Sequence, residues 1–275
     1  MCSDSSPVVA AVDGSESSFR ATVWAAAEAV LRRSPLHIIS PCLFSGSQGD
    51  PSWAGAGPVL EAAARVARTV AAGHDLIVST ERAARPILPV LVAASRTARI
   101  LVVGGSMEDV SCVAHGSVGT MVARYARCSV AVVPSESDRA PIDGPVLVWI
   151  DGTERSVPAI AAGFDAASRR GVELVALHAW CDDTGLALPG IWNPRYHREA
   201  AALGQSLAGW AERYPDVRVR RELLCDKPIR SLREQSELAQ LVVIGHGGDP
   251  RALSGSTVAA LLDSVRCPML VARAR

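Results

Sequence analysis

Short apolar runs alternate with longer alanine-rich stretches along the whole chain. The runs hold four to six consecutive hydrophobic residues, such as VVAAV from Val8 and ILVV from Ile100. Unbroken hydrophobicity of that length suits a strand buried on both faces, and the intervening stretches carry apolar residues at helical spacing. The alternation predicts βαβ units with a parallel sheet covered on both sides. In the first half, strands are predicted near 7–12, 36–40, 74–79, 99–103 and 129–133, and helices near 16–33, 58–72, 86–97 and 117–126. In the second half, strands are predicted near 145–150, 172–178, 217–223, 240–244 and 268–272. A long helix from about Pro194 to Tyr214 carries its proline in the first turn, where a missing N–H costs nothing.

The second half repeats the first. PVVAAVDG from Pro7 matches PVLVWIDG from Pro145 and sets Asp13 opposite Asp151. Each Asp-Gly precedes a hydroxyl residue, Ser15 or Thr153, and then an alanine-rich stretch ending in paired arginines, Arg32-Arg33 or Arg169-Arg170. Later come ILVVGG or LVVIGH, then Gly116-Ser117 or Gly255-Ser256, and finally a cysteine before the last strand, Cys128 or Cys267. A repeat of about 135 residues is the size of a domain rather than of a solenoid unit. Two tandem domains, 1–138 and 139–275, are therefore expected, with PSESDRAPIDG from Pro134 as the linker. Each is expected to be an α/β, doubly wound, five-stranded parallel sheet of order 3-2-1-4-5 flanked by about four helices.

That order makes strands one and four neighbours at the switch point, where diverging loops leave a crevice for a ligand. Asp13 and Asp151 emerge there and can accept hydrogen bonds from ribose hydroxyls or an adenine amino group. Gly104 and Gly245 end the fourth strands, where the lack of a Cβ lets a ligand approach the main chain. Gly116-Ser117 and Gly255-Ser256-Thr257 open helices whose free N–H groups suit phosphate. Each feature also has a structural reading: Asp-Gly after a strand is an ordinary turn, and Gly-Ser before a helix an ordinary N-cap. His115 and His246 lie in these loops without a positioned acid partner, which argues against a hydrolase.

Composition narrows the function. Lys+Arg and Asp+Glu both total 28, so no net field draws the chain to nucleic acid or anionic lipid. Lys227 is the only lysine, and neither a Walker-type loop nor a G-x-G-x-x-G after a strand is present. Seven cysteines, scattered and without a C-x-x-C pair, read as reduced thiols. The polar start lacks a signal-peptide pattern, and no apolar run is long enough for a membrane span. A cytoplasmic location is expected. Trp24, Trp149 and Trp210 fall in predicted elements, where burial is expected, and Trp53 and Trp192 fall in Gly/Pro-rich segments suited to covering a crevice.

The strand-Asp-Gly-Ser start, the later V-V-G, the Gly-Ser-Val before the final helix and the Cys-Pro before the last strand resemble the universal stress protein family. The resemblance spans both halves and implies a tandem member: cytoplasmic, non-enzymatic, linked to stress or dormancy, and pairing its halves as an intramolecular pseudo-dimer, with homodimerisation a further expectation. In many members it also implies bound ATP, accompanied by Mg²⁺. ATP-binding members carry G-x2-G-x9-G-[ST], and this chain departs from that pattern twice. After Gly104 the second glycine is replaced by Met107, and eight residues precede Gly116-Ser117. Gly245 and Gly248 keep the first spacing, but only six residues precede Gly255-Ser256. Glu108, Asp109 and Asp249 bring negative charge towards the phosphates, and Pro250 removes a donor that Arg251 partly replaces. At most one competent, weak site is expected. Three readings follow: a nucleotide-sensing regulator acting on an unidentified protein partner, a nucleotide-free dimerising scaffold, and, as the least supported, a slow adenine-nucleotide hydrolase.

Overall fold

The computed structural model of the chain describes residues 6–41, 51–83, 86–105, 118–135, 141, 143–180, 194–246, 261–262 and 265–274. The chain forms two compact units, Met1–Asp138 and Arg139–Ala274. The first contains β1 (Val8–Ala11), α1 (Glu16–Arg32), β2 (Leu36–Pro41), α2 (Pro51–Val70), β3 (Val78–Ala83), α3 (Ile87–Ala94), β4 (Ile100–Gly104), α4 (Val118–Tyr125) and β5 (Ser129–Val133). Its strands are all parallel in the order β3-β2-β1-β4-β5. The second unit contains β6 (Val146–Trp149), α5 (Val157–Arg170), β7 (Leu174–Trp180), α6 (Pro194–Ser206), α7 (Trp210–Arg213), β8 (Val219–Cys225), α8 (Pro228–Ser236), β9 (Leu241–Gly245) and β10 (Met269–Ala272). They repeat the same parallel order as β8-β7-β6-β9-β10.

The inner strands are buried on both faces, as their composition requires. Val8 to Val12 and Leu101 to Val103 are at most 2% exposed, and so are Leu241 to Ile244 in the second unit. Helix ends follow local chemistry. Ser15 caps α1 by accepting from the Ser18 N–H, and α1 closes on Arg33 in the left-handed region at φ 50°. Gly171 closes α5 at φ 64°, a conformation that glycine adopts without strain.

The structure departs from the periodicity reading at the sheet edges. The third strand runs over Val78–Ala83 rather than 74–79, and the eighth over Val219–Cys225 rather than 217–223. Both are outermost strands, so one flank needs no cover, and their sequences, VSTERA and VRRELLC, carry charged and polar residues at positions where inner strands are apolar. Ile77, inside the span predicted as strand, is 73% exposed and precedes β3. Helix α2 begins at Pro51 rather than near 58 and contains Pro58. Trp53 therefore lies in a helix, not a loop. Helix α3 is shorter than 86–97, ending at Ala94. The single helix expected over 194–214 is two, α6 and α7, parted by Gly209 at φ 78°. The break lets Trp210 and Tyr214 stack on Phe164 of α5, with centroids 5.6 and 5.5 Å apart. Trp24, Trp149 and Trp210 are only partly buried, because each stands where its element meets solvent, whereas Trp180 is 6% exposed.

Candidate functional site

In each unit the first and fourth strands are paired, which sets their carboxyl ends side by side. The Asp-Gly-hydroxyl turn leaves the first strand at that point, with Gly14 at φ 91° and Gly152 at φ 78°. These are conformations that a side chain would strain.

Hydrogen bonds fix both aspartates within their turns. Asp13 Oδ1 accepts from the Ser15 N–H (2.9 Å) and the Ser15 hydroxyl (2.6 Å). The same hydroxyl lies 3.1 Å from Ser17 Oγ. In the second unit Asp151 Oδ1 accepts from the Thr153 N–H (2.9 Å), the Thr153 hydroxyl (2.7 Å) and the Ser156 hydroxyl (2.6 Å). Ser156 Oγ in turn accepts from the Asp151 N–H at 2.9 Å. Partial burial pushes the Asp151 carboxyl up, but the donors from Ser156 and Thr153 outweigh it and hold the group below its ordinary value of 3.8. Among the described residues no donor reaches Oδ2 of either aspartate. Each carboxylate thus has one oxygen committed to the turn and one able to accept from a ligand.

The strand-four glycines have a role that sequence did not reveal. A Cβ on Gly104 would stand 2.8 Å from Ser17 Oγ and 2.9 Å from the Ser17 carbonyl carbon. A Cβ on Gly245 would stand 2.6 Å from the Arg155 carbonyl oxygen. The side-chain direction is therefore filled by the segment that follows the first strand, Ser17 of α1 in the first unit and Arg155 in the second. Beyond Gly245, the His246 N–H donates to the Ala272 carbonyl at 2.9 Å. Burial first, and the Arg273 guanidinium second, push the His246 imidazole down to about 4 and keep it neutral near pH 7. The candidates Gly116, Ser117, Gly248, Gly255, Ser256 and Thr257 lie outside the described residues, as do Met107, Glu108, Asp109, His115, Asp249, Pro250, Arg251 and Trp192.

Sequence reasoning passed over a second cluster at the carboxyl end of β7. The His178 Nδ1–H donates to the Ile150 carbonyl (2.7 Å), and Nε2 lies 3.2 Å from Glu199 Oε2 of α6. The His178 and Trp180 rings are near-parallel, 15° apart with centroids at 6.4 Å. Tyr196 meets Trp180 edge-on at 5.9 Å. The available signal was His-x-Trp at the end of a strand, since residues two apart share a face.

The sequence model of the universal stress protein family matches residues 5–134 and again 144–273. The chain belongs to the universal stress protein family. Universal stress protein Rv2005c of Mycobacterium tuberculosis (strain ATCC 25618 / H37Rv) is 38% identical over 97% of this chain and 96% of its own length. A solved universal stress protein from Archaeoglobus fulgidus DSM 4304 covers 98% of this chain and 96% of its own, with TM-score 0.69 and 16% identity, a likeness of fold. A universal stress protein solved in complex with cAMP is 23% identical over 48% of this chain and 98% of its own, with TM-score 0.41. Among the described residues of this universal stress protein, no helix is long and apolar enough to cross a membrane.

Proposed function

We propose that this tandem universal stress protein is a non-enzymatic, cytoplasmic, stress-linked regulator that binds an adenine nucleotide weakly at a strand-one/strand-four crevice. The observation that carries the reading is the half-committed aspartate. Its Oδ1 is locked by the turn, leaving Oδ2 preoriented as an acceptor for a ribose hydroxyl or base amino group at the switch point of the sheet. Preorganisation lowers the ordering cost of binding. The irregular spacing of both phosphate segments argues for at most one competent site, with the nucleoside end held better than the triphosphate. No cluster of three metal-ligating side chains occurs among the described residues, so any Mg²⁺ would enter with the phosphates it bridges. Ligand binding then acts by favouring one arrangement of the surrounding loops, which a partner protein reads. Isothermal calorimetry with ATP, ADP and AMP on the purified chain tests this: a saturable signal is expected, and its absence up to millimolar ligand would remove the reading.

The nucleotide-free scaffold remains the second reading, favoured by one observation. The turns packed onto Gly104 and Gly245 explain both glycines without a ligand. Nucleotide released when the purified protein is denatured would count against it.

A further inference from the structure

We infer that the amino edge of the first unit's sheet docks on an anionic lipid surface, through a stripe of arginines with apolar side chains among them. In a parallel sheet every helix returns the chain to the same edge, so residues that end helices and precede strands gather there. Hydrogen bonds between the loops fix that gathering. The Val8 N–H donates to the Pro35 carbonyl, the Leu36 N–H to the Ile77 carbonyl, the Arg99 N–H to the Pro7 carbonyl and the Arg127 N–H to Ser95 Oγ, all at 2.7 to 2.9 Å. Arg33 reaches this edge after α1, Arg68 in the last turn of α2, Arg96 after α3 and Arg127 after α4. All four are exposed, and none makes an ion pair among the described residues. From β3 to β5 the edge spans four inter-strand spacings, roughly 19 Å. Its described loops carry a single carboxylate, Asp75, while Glu28 of α1, 1% exposed, is taken up by Arg32. Asp4, ahead of β1, lies outside the described residues.

A basic residue at a helix end ordinarily answers the helix dipole, and the second unit shows what that alone requires. There the repeat puts Gly171 at the position of Arg33, Glu237 at that of Arg96 and Gln240 at that of Arg99, and only Arg127 keeps a basic counterpart, Arg266. Carboxylates meet other arginines at that edge: Arg169 Nε lies 2.8 Å from Asp165 and Arg218 Nε 3.5 Å from Glu173. Charge is thus compensated at one edge and uncompensated at the other, a difference that equal totals of 28 conceal. Apolar exposure is the second observation, and it selects the partner. Val70 at the end of α2, Ile77 ahead of β3 and Tyr125 at the end of α4 are 36%, 73% and 42% exposed at the same edge. A nucleic acid offers phosphates to arginine but no apolar phase to an exposed isoleucine. A bilayer interface takes both, since lipid phosphates pair with guanidinium groups while aliphatic and tyrosine side chains enter the boundary between headgroups and acyl chains.

Co-sedimentation of the purified chain with vesicles of phosphatidylglycerol and phosphatidylcholine in equal parts, against phosphatidylcholine alone, tests the assignment. Partitioning is expected onto the anionic vesicles only, and it should weaken as salt is raised. Arg96→Gln and Arg127→Gln should each lower the partition constant about fivefold, the contribution of one basic residue near an anionic surface. Arg218→Gln, the same change of charge in the second unit, should leave it nearly unchanged. Ile77→Ser should weaken vesicle binding without altering thermal unfolding, because the side chain is already exposed. Circular dichroism establishes that the variants are folded. Equal partitioning onto both kinds of vesicle, undiminished binding by the folded Arg96→Gln and Arg127→Gln chains, or an equal loss in Arg218→Gln overturns the proposal. Binding of a fluorescent single-stranded oligonucleotide that the arginine substitutions weaken, with no vesicle binding, overturns it in favour of a nucleic-acid partner. ATP enters none of these measurements, so nucleotide binding is tested separately.

Discussion

Replacing Gly245 by alanine separates the two roles that a glycine can have at the end of a fourth strand. If the space beside it were open to a ligand, alanine would be neutral or stabilising by up to about 1 kcal/mol, since glycine loses more backbone entropy on folding. Gly245 does not need positive φ, so the backbone itself tolerates the change. The structure predicts the opposite sign. The new methyl would lie 2.6 Å from the Arg155 carbonyl oxygen, some 0.7 Å inside an ordinary carbon–oxygen contact. The 3-10 turn Glu154–Ser156 must therefore retreat, and it is anchored through Ser156 to both the backbone and the side chain of Asp151. Overpacking of this kind costs about 1–3 kcal/mol. Urea unfolding followed by circular dichroism reads the loss as a lower midpoint with an unchanged slope. Gly104→Ala should behave alike, because its methyl would meet Ser17 main-chain atoms. A stability equal to or above wild type for Gly245→Ala would refute the packing argument and return the glycine to its ligand-approach role.

Further outcomes follow from the same geometry. The His246 imidazole, pushed from 6.5 down to about 4, stays neutral in the folded chain while the unfolded chain takes up a proton. Stability is therefore full above about pH 6.5 and falls as pH drops towards 4, by about 1–3 kcal/mol, and His246→Gln should flatten that part of a pH–stability profile. Ser15→Ala removes the α1 cap and a donor to Asp13, and should cost about 1–2 kcal/mol in thermal or urea unfolding. Burial pushes the Cys267 thiol up to about 12, so alkylation mapped by mass spectrometry at pH 8 should label exposed Cys225 and spare Cys267 and Cys128 until the chain unfolds.

The parts of the fold legible in the sequence were those where one physical demand dominates. Inner strands buried on both faces must be hydrophobic throughout, so β1, β2, β4, β5 and their counterparts stood out, and the doubled PVVAAVDG/PVLVWIDG motif exposed the duplication. The edge strands β3 and β8 were displaced because partial exposure removes that demand. The break at Gly209 was hidden for a different reason: stacking of Trp210 and Tyr214 on Phe164 is a tertiary contact that helix periodicity does not encode. At the candidate site, Asp13 and Asp151 were legible as polar residues leaving strand one. The occupation of the Gly104 and Gly245 side-chain directions by the neighbouring turns was not, because it depends on how two loops approach each other. His178 and Trp180 share a strand face, but Tyr196 and Glu199 reach them across a long connection, and sequence spacing carries no record of that contact.

Nucleotide held by the carboxylate turn at the switch point is the central claim to be measured. Equilibrium dialysis of radiolabelled ATP against the purified 275-residue chain measures this directly. Saturable binding that unlabelled AMP displaces is the predicted result. Retention that rises linearly with ligand into the millimolar range and resists AMP would contradict it.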